Sequence, residues 1–339
     1  MVRTLCCMNR HPRFMAAIGY NNIKGKEGSR VKNTYVLTEA AIQLAIFIVL
    51  FLASLYVPLL GTVTTLFLSI PFIIFTIRHG YKPGLLLLFA SLIVSSLIGS
   101  LLSLPVALMF GTGGIVIGAL LAKKKNRYMI LVAGTVVFLI NMVVDYIISV
   151  KFFEIDIIQQ TLSMLKESFD TALQIMRGMG QEPSRELQDR FQQGLELVKY
   201  ITPTLFVVTA FVLAYFTIIV SVPILKRLNI SVGTWPPFRD VTLPKHLLWY
   251  YLLVLITTFL PLEKGTFAYI TVVNMYYLLQ LLFMMQGFSF LYYVSDRKRV
   301  PKGFVVAGTL FCFFLPFLLY LIAILGIIDL GFELRKRVQ

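Results

Sequence analysis

The chain has 339 residues, 58% of them hydrophobic and 14% charged, with a mean hydropathy of +0.82, far from the roughly half apolar, quarter charged balance of soluble domains. The formal net charge of +15 does not indicate nucleic acid, because the cations sit in short clusters between apolar runs, as cytoplasmic membrane loops facing anionic lipid do. Composition therefore excludes a soluble enzyme and predicts an all-α, polytopic helical bundle in a plasma membrane.

Residues 1–30 read as an N-terminal extension. They carry Arg3, Arg10, Arg13, Lys24, Lys26 and Arg30, but the apolar stretch around Leu5 to Met8 is too short for a signal-peptide core. Lys26-Glu27-Gly28 can be encoded by a purine-rich tract resembling a bacterial ribosome-binding site, followed by Val31 as a GTG start. The expectation is that native translation begins there. Cys6 and Cys7 are adjacent and Cys312 lies in an apolar run, so no disulfide framework or metal spacing arises.

A helix needs about 20 apolar residues to cross the hydrocarbon, where no lipid satisfies an irregular backbone. Cutting the chain at basic clusters and breakers predicts about nine spans. Helices 1–5 cover 37–57, 60–77, 84–102, 105–122 and 128–150, within a first membrane segment 31–150. Helices 6–9 cover 201–224, 245–262, 267–294 and 303–326, within a second segment 201–339.

The clusters at Lys32, Arg78/Lys82, Lys123 to Arg127, Lys226-Arg227 and Arg297 to Arg299 are each separated by two spans, which places all five in the cytoplasm. Nine spans put the tail Arg335-Lys336-Arg337 outside, against that rule.

Between helices 5 and 6, residues 151–200 hold eight acidic and six basic residues, net −2, and are expected outside. Ile158, Leu162, Leu165, Phe169, Ala172 and Met176 recur at three- and four-residue steps, an amphipathic stripe. Gly178 and Gly180 end that helix. Pro183-Ser184 starts a second one, with Leu187, Phe191, Leu195 and Val198 on one face. The two stripes close on each other as a helical hairpin, or one of them docks an envelope partner.

Polar groups inside spans are costly and so are functional candidates. Asp145 in helix 5 has Asn141 one turn earlier on the same face, and the two are candidate ligand-binding residues. The competing reading pairs Asp145 with Lys151 or wets it at the interface. In helix 8, Asn274, Gln280 and Gln286 stand six residues apart and face different ways, which favours hydrogen bonds to different helices over a transport path.

Glu39 suits the positive end of the helix 1 dipole. Gly114 and Gly118 form a G-x-x-x-G, and Ala41 and Ala45 an A-x-x-x-A; such spacing packs helices in lipid. Trp235 and Phe238 flank two prolines and read as an interfacial anchor or a partner-binding loop. There is no phosphate loop and no zinc motif, and His11, His79 and His246 are the histidines present. The chain is expected to be no enzyme and to hold no cofactor or metal.

Leu37-Thr-Glu-Ala-Ala41, Tyr81-Lys-Pro-Gly84, Trp235-Pro-Pro-Phe238 and the closing Gly326-Ile-Ile-Asp-Leu-Gly-Phe-Glu-Leu-Arg335 resemble the YybS-like family of bacterial membrane proteins over about residues 31–339. That family has no assigned function. The first six helices are more distantly similar to the S components of energy-coupling-factor importers, which bind vitamins or metal ions from outside. The resemblance implies scaffold and ATPase subunits as partners, with Ala41 and Ala45 at the matching small-residue motif of helix 1. Helices 7–9 and the inserted hairpin depart from that pattern.

Overall fold

The computed structural model describes residues 13–182, 184–230 and 237–337, the side chains of 13–33, 58–60, 62 and 102 excepted. Among these residues the secondary structure is helical throughout, with no strand. Six helices are long and apolar enough to cross a membrane, or seven if one bent pair counts as a span.

The predicted helix 1 is the apolar part of α1 (Arg13–Tyr56). Helix 2 is broken. α2 (Pro58–Thr65) and α3 (Ile70–His79) are separated by a turn at residues 66–69, because Pro71 has no N–H to continue a helical ladder. Ser69 instead donates its hydroxyl to the Phe110 carbonyl at 2.8 Å. α4 (Tyr81–Gly99), α5 (Leu104–Ala122) and α6 (Arg127–Phe152) match helices 3 to 5.

α7 (Ile157–Gly178) is capped by Asp156, whose carboxylate accepts from the Ile158 and Gln159 amides at 3.0 Å. α8 (Arg185–Arg227) joins the second arm of the predicted hairpin and helix 6 in one 43-residue helix. The Phe169 and Phe191 rings stack across the hairpin, 3.8 Å between centroids. Leu173, outside the predicted stripe, is its most buried apolar residue on α7, whereas Leu165 is exposed.

α9 (Leu247–Thr257) is short, 11 residues, and α10 (Phe267–Arg297) long, 31 residues. The predicted helix 9 is not one straight span. It is α11 (Lys302–Phe314) and α12 (Pro316–Phe332), bent by 118°. Pro316 pushes the residue before it out of the helical region, and Leu315 is extended at φ −121° and ψ 93°. A four-residue helix, α13 (Leu334–Arg337), closes the described chain.

The chain divides into two compact units, Met1–Phe138 with Leu213–Val232, and Leu139–Val212 with Gly233–Gln339. In the first, α5 lays Gly114 and Gly118 against α3. A methyl at Gly114 would meet the Ser69 carbonyl oxygen at 2.6 Å, and one at Gly118 the Ile73 carbonyl at 2.9 Å. This G-x-x-x-G therefore packs inside the bundle, where small residues let helix backbones approach. Phe47, Phe51, Phe72 and Phe75 fill the adjoining core.

In the second unit α10 is central, with α9, α11 and α12 packed on it. α11 runs back along the last turns of α10, Thr309 meeting Tyr292 and Phe313 meeting Phe288. α12 then returns along α10 and ends at the Arg297 end. There Tyr293 donates its hydroxyl to the Arg335 carbonyl at 3.4 Å. The basic tail thus shares an end with Arg297, whereas a straight helix 9 was expected to carry it to the opposite side.

Candidate functional site

Along α6, Ile130, Gly134, Phe138 and Asn141 are buried at steps of three and four residues, and Asp145 continues that face one turn on. Val143, Val144 and Ile147 beside it are exposed. Asp145 therefore lies on the inward stripe and not on the apolar outer face. It is half-buried, with no hydrogen-bond or ion-pair partner among the described residues. Lys151, the candidate counter-ion, does not pair with it. Near the same end of α6, Tyr146 donates to Asp156 at 3.4 Å and meets the Phe206 ring edge-on, which ties α6 to the hairpin.

Two other ionisable clusters are fully engaged. Glu39 is buried, accepting from Arg78 at 2.6 Å on one carboxylate oxygen and lying 2.8 Å from His79 Nε2 on the other. The Phe75 ring lies 4.9 Å from that imidazole. Glu39 is thus an inter-helix bridge between α1 and α3 rather than a lone dipole partner. The sequence signal for it was present but divided between Glu39 and Arg78-His79, 39 residues apart.

The second cluster ties α12 to α10 and to the segment after Pro237. Asp329, buried, accepts from Gln286 Nε2 at 2.6 Å and from Arg335 Nε at 3.1 Å. Arg335 also donates to the Arg239 carbonyl at 2.8 Å and to Ser289 at 3.0 Å. The Ser289 hydroxyl lies 2.8 Å from the Phe238 and Val241 carbonyls, and Gln286 accepts from the Leu243 amide at 3.0 Å. A carboxylate in the apolar run Pro316–Phe332, followed six residues later by an arginine, was the legible trace of this network.

The other amides of α10 also find partners on different helices. Asn274 accepts from Thr204 on α8 and donates to the Tyr200 carbonyl, and Gln280 accepts from the Tyr251 hydroxyl on α9 at 3.0 Å. The six-residue spacing is therefore a set of interhelical ties, as expected from its angular spread.

Of the remaining candidates, Ala41 and Ala45 lie on the exposed side of α1, flanked by exposed Leu37, Ile42, Ile46 and Val49. Phe238 stands edge-on to Tyr292, 5.6 Å between ring centroids. Trp235 lies outside the described residues. Among the described residues no group of three or more His, Cys, Asp or Glu is placed to hold a metal ion.

Beyond the transmembrane helices, Glu333 accepts from Lys245 and Lys336, and these two ammoniums hold its carboxyl well down, at about 2. It sits in the left-handed region, φ 50°, where the chain leaves α12.

A family model described as "Predicted membrane protein (DUF2232)" matches residues 45–330. The chain is 31% identical over 310 residues, 91% of its length, to the whole of "Uncharacterized protein YybS" of Bacillus subtilis (strain 168). No solved structure matches it. The stretch matched by the family model holds all but the ends of the helical bundle, and the chain belongs to this family of multi-pass membrane proteins of uncharacterised function.

Proposed function

We propose that this protein binds a small solute at the outer half of the membrane and hands it on with the help of partner subunits. Asp145 carries the reading: a carboxylate on the inward stripe of a membrane helix, with no partner among the described residues. An unpaired charge costs on the order of 2.5–3.5 kcal/mol at the centre of a membrane helix and less toward its ends, a cost that a ligand donor or cation would offset. Asn141, buried one turn away, supplies a second polar group on the same face.

The topology that goes with this reading has eight crossings, formed by α1, α2–α3, α4, α5, α6, α8, α9 and α10. The α11–α12 pair enters and leaves on one side. All basic clusters, the C-terminal one included, then face the cytoplasm, and the 151–200 hairpin faces outward. The exposed Ala41 and Ala45 face suits a scaffold subunit coupled to ATPases, by analogy with the importers resembled by the first six helices.

The test is recovery of small molecules from the gently solubilised protein by mass spectrometry. Asp145→Asn should lose a solute that the unaltered protein retains. Equal retention by both, or no solute with either, removes the proposal.

A scaffold reading is favoured by one observation: Met164, Ile175 and Met179 stand exposed on the hairpin. In that reading, deletion of 155–198 abolishes co-purification of an envelope protein while the bundle stays folded. An unchanged interaction profile counts against it.

A further inference from the structure

The Arg297 end of the second unit gathers positive charge from two segments distant in sequence. α10 ends at Arg297 and runs on through Lys298 and Arg299, Lys302 opens α11, and the return of α12 brings Arg335, Lys336 and Arg337 to the same end. The two segments meet on Tyr293. The Arg297 guanidinium carbon lies 5.6 Å from that ring's centroid, and that of Arg335 lies 5.5 Å from it.

The carboxylates here are already committed. Asp329 holds Arg335, Asp296 holds Arg239, and Glu333 holds Lys245 and Lys336. Among the described residues, Arg297, Lys298, Arg299, Lys302 and Arg337 are left exposed with no carboxylate partner. Cations held together in this way attract an anion.

The neighbours of these cations decide which one. Val300 and Phe304 are exposed, Phe304 by 75%, directly beside Arg299 and Lys302. An exposed apolar residue one turn from a cationic cluster places that cluster at headgroup level, where guanidiniums take phosphate oxygens two at a time.

We propose that this composite surface seats the phosphate headgroup of an anionic phospholipid in the leaflet it faces, and that the α11–α12 return exists in part to complete it. The surface is independent of Asp145 and of any solute.

The test uses the full chain in neutral detergent, offered equal amounts of phosphatidylglycerol and phosphatidylcholine and read by native mass spectrometry. The protein should retain phosphatidylglycerol preferentially, less so as salt rises. Replacing Arg297, Lys298 and Arg299 by Gln should weaken that preference on the order of a hundredfold. Should that variant fail to fold, Arg299→Gln with Arg337→Gln takes one exposed cation from each segment and should still lower the preference at least tenfold. At equal ionic strength, inorganic phosphate should displace the lipid no more than chloride does. Equal retention of the two lipids, an undiminished preference in a folded variant, or displacement by phosphate beyond that by chloride at the same ionic strength would each overturn the assignment.

Discussion

The contact between α10 and α12 is close enough for one methyl group to report on it. A Cβ at Gly326 would fall on the Phe283 carbonyl oxygen and lie 2.8 Å from the Gly287 nitrogen, and a Cβ at Gly287 would fall on the Ile322 carbonyl oxygen. These are backbone atoms in helices, so no rotamer change relieves the overlap. The two helices must separate by about an ångström or more, and overpacking of this kind costs about 1–3 kcal/mol.

Separation also strains the buried bonds of Asp329 to Gln286 and Arg335, so Gly326→Ala is expected at or above the upper end of that range. Gly308→Ala is the control, since nothing lies within 4 Å of its added methyl and Ala is the better helix former. Thermal unfolding of the purified protein in detergent, followed by the loss of its monodisperse elution peak, measures both. A Gly326→Ala melting curve that coincides with that of Gly308→Ala would refute the close crossing.

Three further outcomes follow from the ionic clusters. Arg335→Leu leaves Asp329 buried without its cation and should destabilise the protein by about 3–5 kcal/mol, whereas the double change with Asp329→Leu should recover most of that in the same melting assay. Glu39→Ala should cost less, about 1–3 kcal/mol, because Arg78 is 38% exposed and can hydrate once released; Glu39→Gln should fall between it and the unaltered protein.

For Glu333 the folded carboxyl is held at about 2 by Lys245 and Lys336, below its ordinary 4.5. Its hold on the chain end is therefore present in full above pH 4.5 and lost as pH falls from there toward 2. Cleavage of the C-terminal segment by an acid-active protease should rise across that window, and Glu333→Gln should abolish the rise.

The long spans were legible because their signal is local: an uninterrupted apolar run bounded by cations forces a helix in lipid. Breaks at proline were harder to read. Pro71 and Pro316 both sit inside runs that satisfy the hydropathy rule, and proline is tolerated in membrane helices wherever neighbours satisfy the freed groups. At Pro71 the chain resumes its course after a turn, whereas at Pro316 it folds back, and only packing against α10 distinguishes the two.

In the hairpin stripe Ile158, Leu162, Phe169 and Met176 lie on the less exposed face as expected, but Leu165 and Ala172 are exposed and Leu173 is buried instead, because an i, i+3, i+4 pattern admits more than one face. Asp329 and Arg335 were missed as a site for a different reason. Their partners Gln286, Ser289 and the Arg239 carbonyl come from segments more than 40 residues away.

The disposition of polar groups separates those that hold the bundle from those that could use it. An ionisable or amide side chain within a membrane helix persists only if something offsets its desolvation. For Glu39, Asn274, Gln280, Gln286 and Asp329 that partner is internal and named: a cation, an amide, a hydroxyl or a backbone group. Each can be explained by stability alone, and none needs a ligand. Asp145 differs in kind. It sits on the same inward stripe as Asn141, and nothing among the described residues repays its burial. Under the proposed function its partner comes from outside the chain, so the test of that proposal begins at Asp145 and not at the better-connected Asp329.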